Sequence, residues 1–455
     1  MDLHALQGFP MLTLLLTLLA PLELPRYHLE PGLELTYRTL LPPTGEDKAK
    51  TPASSQLIQA TVLAKNSDGT FRVMILTRTG NAPQFQYNLQ MIHLASDGSI
   101  VNVGKESTGF STTLFPLLPP PGKDVWTRYH ELDMVTSTFR PLTSPHVETK
   151  PGQLLLREER RGGMLCIYDG ESRFDYVFDL QQGIVTEIRR ERLKNESPDH
   201  VPYKYAGHST TSTFQLESKK MLPAEELASL VKQADRFLQL QDGQSRRFTE
   251  AGKANIQEAA RLMTENEKAW KEALPTFTQV GLKAMAEDTA KNTSNFIRYV
   301  QDDAKRRAEI LGKEPPAWQA RDFEGREYSS EKLRGKVVVL DFWYRGCGWC
   351  IRAMPQMNQL AGDFQNEPVV LLGVNIDEDP ADARFVIRQM QLAYPSLDFG
   401  KASSGDKPHP LLTCTFGYPT LLVIDREGKL ADIHVGYSPT LREEVTKSIR
   451  QALAK

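Results

Sequence analysis

The chain has 455 residues, of which 40% are hydrophobic and 25% are charged, and its formal net charge is −2. This length predicts two or three domains. The nearly balanced charge argues against nucleic acid or an anionic membrane as the main partner. Because the chain has only four cysteines, a scaffold built mainly on disulfides is excluded.

An apolar run near the N-terminus, at residues 11–24, has the length expected for a signal peptide and is short for a membrane-spanning helix. No Lys or Arg precedes it, which is unusual for a signal. We expect residues 1–26 to be a signal peptide or a membrane anchor. The protein is therefore predicted to be extracytoplasmic, in the periplasm or cell envelope. The alternative is a buried apolar N-terminal element.

Residues 27–220 are predicted to form an antiparallel β domain, arranged as a sheet, a sandwich or an incomplete barrel. Alternating or apolar segments separated by Gly-containing turns predict strands at 33–40, 56–65, 70–79, 84–94, 164–168, 173–180 and 183–192. The region contains no recognisable catalytic constellation. Its histidines lack the spacing of a metal site, and Cys166 is expected to be an inert core thiol.

Residues 221–311 are predicted to be helical because Glu, Lys, Gln and Ala dominate and apolar residues recur at helical spacing. The first helix begins after Pro223 and is expected to end at Gly243. Two further helices are predicted at about 249–272 and 278–312. Since no heptad repeat persists, we interpret the region as a spacer or small bundle; a dimerisation element is the alternative.

The stretch 336–355 predicts a redox site. A fully apolar strand segment, 337–340, is followed by a loop with Cys347 and Cys350 and then by a helix. A cysteine in the first helical turn faces unpaired N–H groups and the positive end of the helix dipole, so the thiolate of Cys347 should be stabilised. Cys350 is placed to close a disulfide with Cys347. Half of a zinc site is the alternative, but Cys166 and Cys414 supply no second C-x-x-C.

This stretch resembles the thioredoxin superfamily, and residues 312–455 resemble its TlpA-like (AhpC/TSA-related) branch. Asp341, six residues before Cys347, matches the buried acid of the family. The resemblance implies that Asp341 moves the proton of Cys350, with a raised pKa that suits this role. A solvated acid at the strand end is the alternative. Pro355 matches the helix kink of the family.

A second match lies at Tyr418-Pro419, which precedes another apolar segment, 421–424. The resemblance implies that this bond is cis and that its backbone pairs with a substrate chain. Trp349, between the cysteines, is expected either to form a substrate platform or to cover the disulfide, and its exposure distinguishes the two. Cys414, five residues before Pro419, is either a third redox thiol or a buried cysteine.

Three positions depart from patterns of the related families. Gly346 stands where TlpA-like proteins usually have Trp, and Ala353 stands where many of their reductases have Glu. Both directions of electron flow, reduction and oxidation of a partner, therefore stay as alternatives. Peroxiredoxins need Thr three residues before their reactive Cys, and Tyr344 occupies that position, which argues against a peroxidase.

The predicted function is that of an exported thiol–disulfide oxidoreductase whose C-G-W-C pair reduces or exchanges disulfides in partner proteins. The expected catalytic residues are Cys347, Cys350 and Asp341, and the expected substrate contacts are Trp349, Tyr418 and Pro419. The resemblance implies disulfide-containing or dithiol extracytoplasmic partners, a membrane or soluble thiol electron donor, and neither cofactor nor metal. The alternative from another class is a non-catalytic envelope or partner-binding protein with a redox-sensing module.

Overall fold

A computed structural model describes residues 25–41, 54–81, 84–101, 114–119, 140–141, 146–161, 171–193, 211–251, 254, 256–400 and 409–454. In these ranges the protein consists of a large antiparallel sheet, three long helices and a smaller mixed sheet flanked by helices. The prediction of a multidomain α+β protein agrees with this arrangement. The apolar run at 11–24 lies outside the described residues, and none of the helices within them has the length and hydropathy of a transmembrane segment.

The first sheet contains eleven strands in the described residues: β1 (Leu33–Leu41), β2 (Ser54–Lys65), β3 (Phe71–Asn81), β4 (Gln84–Leu94), β5 (Ile100–Val101), β6 (Arg140–Pro141), β7 (His146–Lys150), β8 (Gln153–Arg161), β9 (Glu171–Asp179), β10 (Ile184–Arg192) and β11 (Thr211–Met221). They follow the order β5-β4-β3-β2-β1-β11-β10-β9-β8-β6, and β7 also pairs with β8. Every pairing is antiparallel.

Buried and more exposed side chains alternate along these strands, so one face of the sheet packs into a continuous hydrophobic core. Tyr37, Val73 and Phe178 are fully buried there, in a cluster that includes residues from nearly every strand. The strands predicted between 33 and 94 and between 173 and 192 are confirmed within a few residues. The strand predicted at 164–168 lies outside the described residues, together with Cys166.

The helical region consists of α1 (Ala224–Ala251), α2 (Ile256–Ala273) and α3 (Val280–Ile310). The prediction that α1 ends at Gly243 is wrong, because the helix continues for eight more residues. A glycine inside a helix costs about 1 kcal/mol relative to alanine. Packing on both sides of Gly243 offsets this cost: Leu240 and Ala251 are buried, and the indole N–H of Trp270 donates to Gln244 Oε1 at 2.6 Å.

The helices pack against the outer face of the first sheet. Phe237 and Trp270 meet edge to face, with ring centres 5.3 Å apart, in a core that also contains Met74 and Met91 from the strands. At Gly281, near the start of α3, an added Cβ would lie 2.5 Å from the side chain of Leu76, so a larger residue here would require Leu76 to move. The helices are therefore joined to the sheet by a shared hydrophobic core.

The C-terminal part contains β12 (Gln319–Arg321), β13 (Glu327–Ser329), β14 (Val337–Trp343), α4 (Gly348–Asp363), β15 (Val369–Asn375), α5 (Pro380–Met390), β16 (Ser396–Asp398), β17 (Thr420–Ile424), β18 (Leu430–Val435) and α6 (Leu441–Leu453). Its five-stranded sheet has the order β16-β15-β14-β17-β18. The pairs β14–β15 and β15–β16 are parallel, whereas β14–β17 and β17–β18 are antiparallel. The strand predicted at 337–340 and the helix predicted after the cysteine loop agree with β14 and α4.

The central strand β14 is buried along its whole length, as its apolar run predicts. Val337 and Val339 face a core formed with α4 and α6, and Val338 and Leu340 face the opposite core. The chain leaves the end of β14 through a four-residue loop and enters α4. This connection places the two cysteines at the carboxyl end of the central strand.

Candidate redox site

Cys347 and Cys350 form a disulfide at the N-terminus of α4, with their Cα atoms 5.2 Å apart. Cys347 is the N-cap residue, and its Sγ accepts a hydrogen bond from the N–H of Cys350 at 3.1 Å. The unpaired N–H groups and the dipole of α4 therefore act on Cys347 Sγ. Both cysteines are bonded to each other rather than to a metal, and the described residues contain no cluster of metal-ligating side chains.

Trp349, between the two cysteines in the chain, is exposed to solvent. Its side chain is 56% exposed and stacks on Tyr437, with ring centres 5.9 Å apart and an interplanar angle of 16°. The guanidinium of Arg352 lies 5.4 Å from the indole centre. This exposure agrees with the substrate platform that was one of the two arrangements expected for Trp349, and the role of the residue stays a prediction.

Asp341 is buried in β14, on the face that packs against α4. It lies between Val339 and Trp343 on this face, and Trp343 is in the same cluster as Cys350. Tyr394 donates a hydrogen bond from its hydroxyl to Asp341 Oδ2 at 2.7 Å, whereas Oδ1 has no partner among the described residues. The alternative of a solvated acid is therefore wrong.

Burial controls the ionisation of Asp341. Removal from water raises the pKa of its carboxyl from 3.8 to about 6, although the hydrogen bond from Tyr394 lowers the pKa. The raised pKa that we predicted for this acid is confirmed. Both protonation states are accessible near neutral pH, which is what a proton-transfer group requires.

The Tyr418–Pro419 peptide bond is cis, as the resemblance implied. The ring of Tyr418 meets that of Tyr344 edge to face, with centres 5.2 Å apart, and both tyrosines pack against the cluster that contains Cys347 and Cys350. The hydroxyl of Thr420 donates to the Gly417 carbonyl at 2.6 Å. The structure thus brings the two predicted segments together, although about 70 residues separate them in the chain.

Arg345, which was not among the predicted site residues, anchors the redox loop. Arg345 is fully buried, and its Nη1 donates to Asp382 Oδ1 at 2.6 Å. The N–H of Arg345 donates to Asp377, whose carboxylate also accepts a hydrogen bond from Asn375 Nδ2 at 2.7 Å. Burial raises the pKa of Asp377 to about 6. The sequence contained one signal for this anchor, namely that Arg345 lies between a buried strand and the first cysteine.

Cys414 is buried in a short 3-10 helix, Pro410–Cys414, and packs into the core on the opposite side of the sheet from the cysteine pair. Burial raises the pKa of its thiol, so the reactive thiolate form is disfavoured. Its environment matches that of a buried cysteine.

Comparison with known proteins agrees with this site. The sequence profile of the AhpC/TSA family matches residues 311–433. The thiol-disulfide oxidoreductase ResA of Bacillus cereus is 30% identical over 128 residues, which are 28% of this chain and 70% of that protein. ResA of Geobacillus thermodenitrificans is 30% identical over 144 residues, covering 31% of this chain and 78% of that protein.

Among solved structures, a putative thiol:disulfide interchange protein DsbE from Chlorobium tepidum is 30% identical, with a TM-score of 0.29, and covers 31% of this chain and 97% of its own. Through its C-terminal domain the chain belongs to the AhpC/TSA family, in the TlpA-like branch of the thioredoxin superfamily. The protein is a thioredoxin-like thiol–disulfide oxidoreductase.

Proposed function

We propose that the protein is an exported oxidoreductase that uses the Cys347–Cys350 pair to reduce or exchange disulfides in partner proteins. The observation that carries this proposal is the disulfide at the N-terminus of α4. Two cysteines in this position alternate between disulfide and dithiol, and the helix N-terminus favours the thiolate of Cys347.

In the reducing direction, the Cys347 thiolate attacks one sulfur of the partner disulfide. A mixed disulfide forms, and the other partner sulfur leaves as a thiolate. Cys350 then loses its proton and attacks the Cys347 sulfur, which releases the second partner thiolate and forms the Cys347–Cys350 disulfide. Two electrons pass to the partner, and a membrane or soluble dithiol donor restores the reduced pair. The oxidising direction reverses these steps.

Asp341 is proposed to accept the proton of Cys350 when the mixed disulfide resolves. Its position on the face of β14 beneath α4 and its pKa of about 6 support this role. Trp349, Tyr418 and Pro419 are proposed to contact the partner chain next to the reacting sulfurs. The exposure of Trp349 and the packing of Tyr418 against the cysteine cluster support these contacts.

We further propose that the chain consists of a signal peptide or anchor at 1–26, a β domain at 27–220, a helical region at 221–311 and the redox domain at 312–455. It places the protein outside the cytoplasm. Fractionation of cells that express the full chain, with sequencing of the mature N-terminus, tests the location and the cleavage. Recovery of the uncleaved protein in the cytoplasm would contradict export.

The reduction potential of the pair tests the reaction. The full chain is equilibrated against glutathione buffers, and alkylation is read by mass spectrometry. We expect Cys347 and Cys350 to become resistant to alkylation together, and to become reactive together, because they form one two-electron couple. A potential below that of glutathione identifies a reductase, and one above it identifies an oxidant or isomerase. If the two thiols never pair, the domain is a binding module.

Insulin reduction separates catalysis from redox sensing. The reduced wild-type chain should reduce insulin in the presence of a dithiol donor, and the Cys347→Ser variant should not. Cys414→Ser is the matched control, because Cys414 packs in a different core from the pair. Equal activity of Cys347→Ser and wild type would exclude the proposed nucleophile.

A further inference from the structure

The last turns of α3 bind the loop that leads to the cis-proline. Arg306 Nη2 donates hydrogen bonds to the carbonyl oxygens of Thr413 and Thr415, at 3.0 and 2.9 Å. The same guanidinium lies 4.6 Å from the ring centre of Phe416. The family match begins at residue 311. A helix that precedes the matched region therefore contacts the redox site.

Backbone contacts fix the orientation of α3 relative to the redox domain. Just after the helix, the N–H of Gly312 donates to the carbonyl of Leu430 at 2.9 Å, and the N–H of Leu430 donates to the carbonyl of Lys313 at 2.8 Å. Ile310 packs against the core of the redox domain. This end of α3 is joined to β18 by hydrogen bonds and by apolar packing.

A cleft of about 570 Å³ lies between the helical region and the redox domain. Phe248 and Tyr299 line it from the helices, and Trp349, Val435 and Tyr437 line it from the redox domain. Its volume falls in the range of about 300–1,000 Å³ that ligand sites occupy. Trp349 lies between the two cysteines in the chain, so one lining residue of the cleft belongs to the first turn of α4 that carries the redox pair.

Exposed apolar side chains are concentrated in this cleft. Six large apolar side chains of the described residues are exposed: Met221, Val280, Tyr299, Leu311, Trp349 and Val435. Three of the six line the cleft, and Tyr299 and Trp349 are 49% and 56% exposed. Clustered exposed apolar surface marks a binding site, and aromatic residues dominate the energetics of such sites.

The charged groups of the cleft form contacts within the protein. Arg307 Nη2 donates to Asp303 Oδ2 at 3.3 Å, and Glu444 Oε1 accepts a hydrogen bond from Ser438 at 3.1 Å. The cleft therefore does not present a cluster of like charges to a ligand. This composition fits an apolar polypeptide segment better than a phosphorylated or strongly charged ligand.

We propose that the cleft binds an apolar segment next to the reacting cysteine of the partner protein, and that Tyr299 determines specificity for this segment. The inference depends on the proposed exchange function, since the partner is the polypeptide whose sulfurs react at Cys347. It assigns α3 a part in substrate binding, so the helical region contributes one wall of the substrate site.

Two synthetic peptides test the inference. Each contains one intramolecular disulfide, and they differ only in three flanking residues, Leu-Phe-Leu in one and Ser-Gly-Ser in the other. The reduced full-length wild type should have a kcat/KM about tenfold higher for the apolar peptide. Tyr299→Ala should remove most of this preference through KM, and Tyr299→Phe should retain it.

Val280→Ala is the matched control, because Val280 is also an exposed apolar residue on α3 but lies at the other end of the helix. It should keep the wild-type preference. Glutathione disulfide serves as a small substrate, and its reduction by Tyr299→Ala should match that by the wild type. The reduction potential of the pair should also be unchanged.

The possible failures are distinguishable. If the wild type reduces neither peptide and no other disulfide, the exchange function is wrong. If it reduces both peptides equally well, or if Tyr299→Ala keeps the preference, the cleft assignment is overturned while the exchange function stands. If Tyr299→Ala slows glutathione disulfide reduction as much as peptide reduction, Tyr299 supports the structure of the site and does not select substrates.

Discussion

Replacement of Asp341 by Asn should change how the stability of the protein depends on pH. Burial holds the pKa of Asp341 at about 6 in the folded protein, compared with an ordinary value of 3.8. Folding therefore favours the protonated acid. Its contribution to stability is complete below pH 3.8 and is lost as the pH rises to about 6. The difference between these pKa values corresponds to about 3 kcal/mol.

Asparagine cannot ionise, so the variant lacks this pH-dependent loss. Its amide group adds buried donors, which cost about 1–3 kcal/mol, but this cost is the same at every pH. The useful quantity is thus the difference in free energy of unfolding between Asp341→Asn and wild type. Between about pH 4 and about pH 8 this difference should shift by about 2–3 kcal/mol in favour of the variant.

Urea unfolding of the full chain in its disulfide form, followed across this pH range, measures the shift. Glu331→Gln is a suitable control because its side chain is exposed, and it should keep the pH dependence of the wild type. If the difference in free energy of unfolding between Asp341→Asn and wild type did not change with pH, the argument from burial would be refuted. In the reduced protein, Asp341→Asn should also slow resolution of the mixed disulfide by about 100-fold or more if Asp341 accepts the proton.

Further predictions concern the groups around the cysteines. Tyr394→Phe removes the hydrogen bond that lowers the pKa of Asp341, so the pH at which stability falls should move upward in the same urea titrations; an unchanged pH would contradict this coupling. Arg345→Met leaves a buried carboxylate without its ion-pair partner and should cost about 3–5 kcal/mol in the free energy of unfolding. The exposed pair of Arg321 supplies the control, and Arg321→Met should cost less than about 1 kcal/mol. Cys350→Ser should accumulate a mixed disulfide between Cys347 and the partner, visible by mass spectrometry, and its absence would argue against Cys350 as the resolving thiol.

The helical region contacts both the N-terminal sheet and the redox domain. One end of the region shares a core with the N-terminal sheet, through residues such as Trp270 and Met91. The other end contacts the loop before Pro419 through Arg306. A change in the packing of α3 would therefore reach both the sheet and the redox domain, which a flexible spacer would not allow.

Local features of the sequence were sufficient to predict the redox site itself. The apolar run before Cys347 defines a buried strand, and the two-residue spacing to Cys350 defines a pair that can form a disulfide. These inferences depend on neighbours within a few residues, where chain geometry is restricted. The resemblance extended them to Asp341 and to Pro419, and the structure brings Tyr418 and the cysteine pair into one cluster.

Tertiary structure decided the features that depend on distant neighbours. The sequence around Gly243 predicts a helix end, but packing against α2 carries the helix on to Ala251. The burial of Arg345 depends on Asp382, which lies 37 residues later in the chain and accepts its hydrogen bond. Likewise, Arg306 and Thr413 lie 107 residues apart, and only the folded chain joins them. Sequence patterns report local backbone preference and burial, whereas such contacts depend on how separate elements pack.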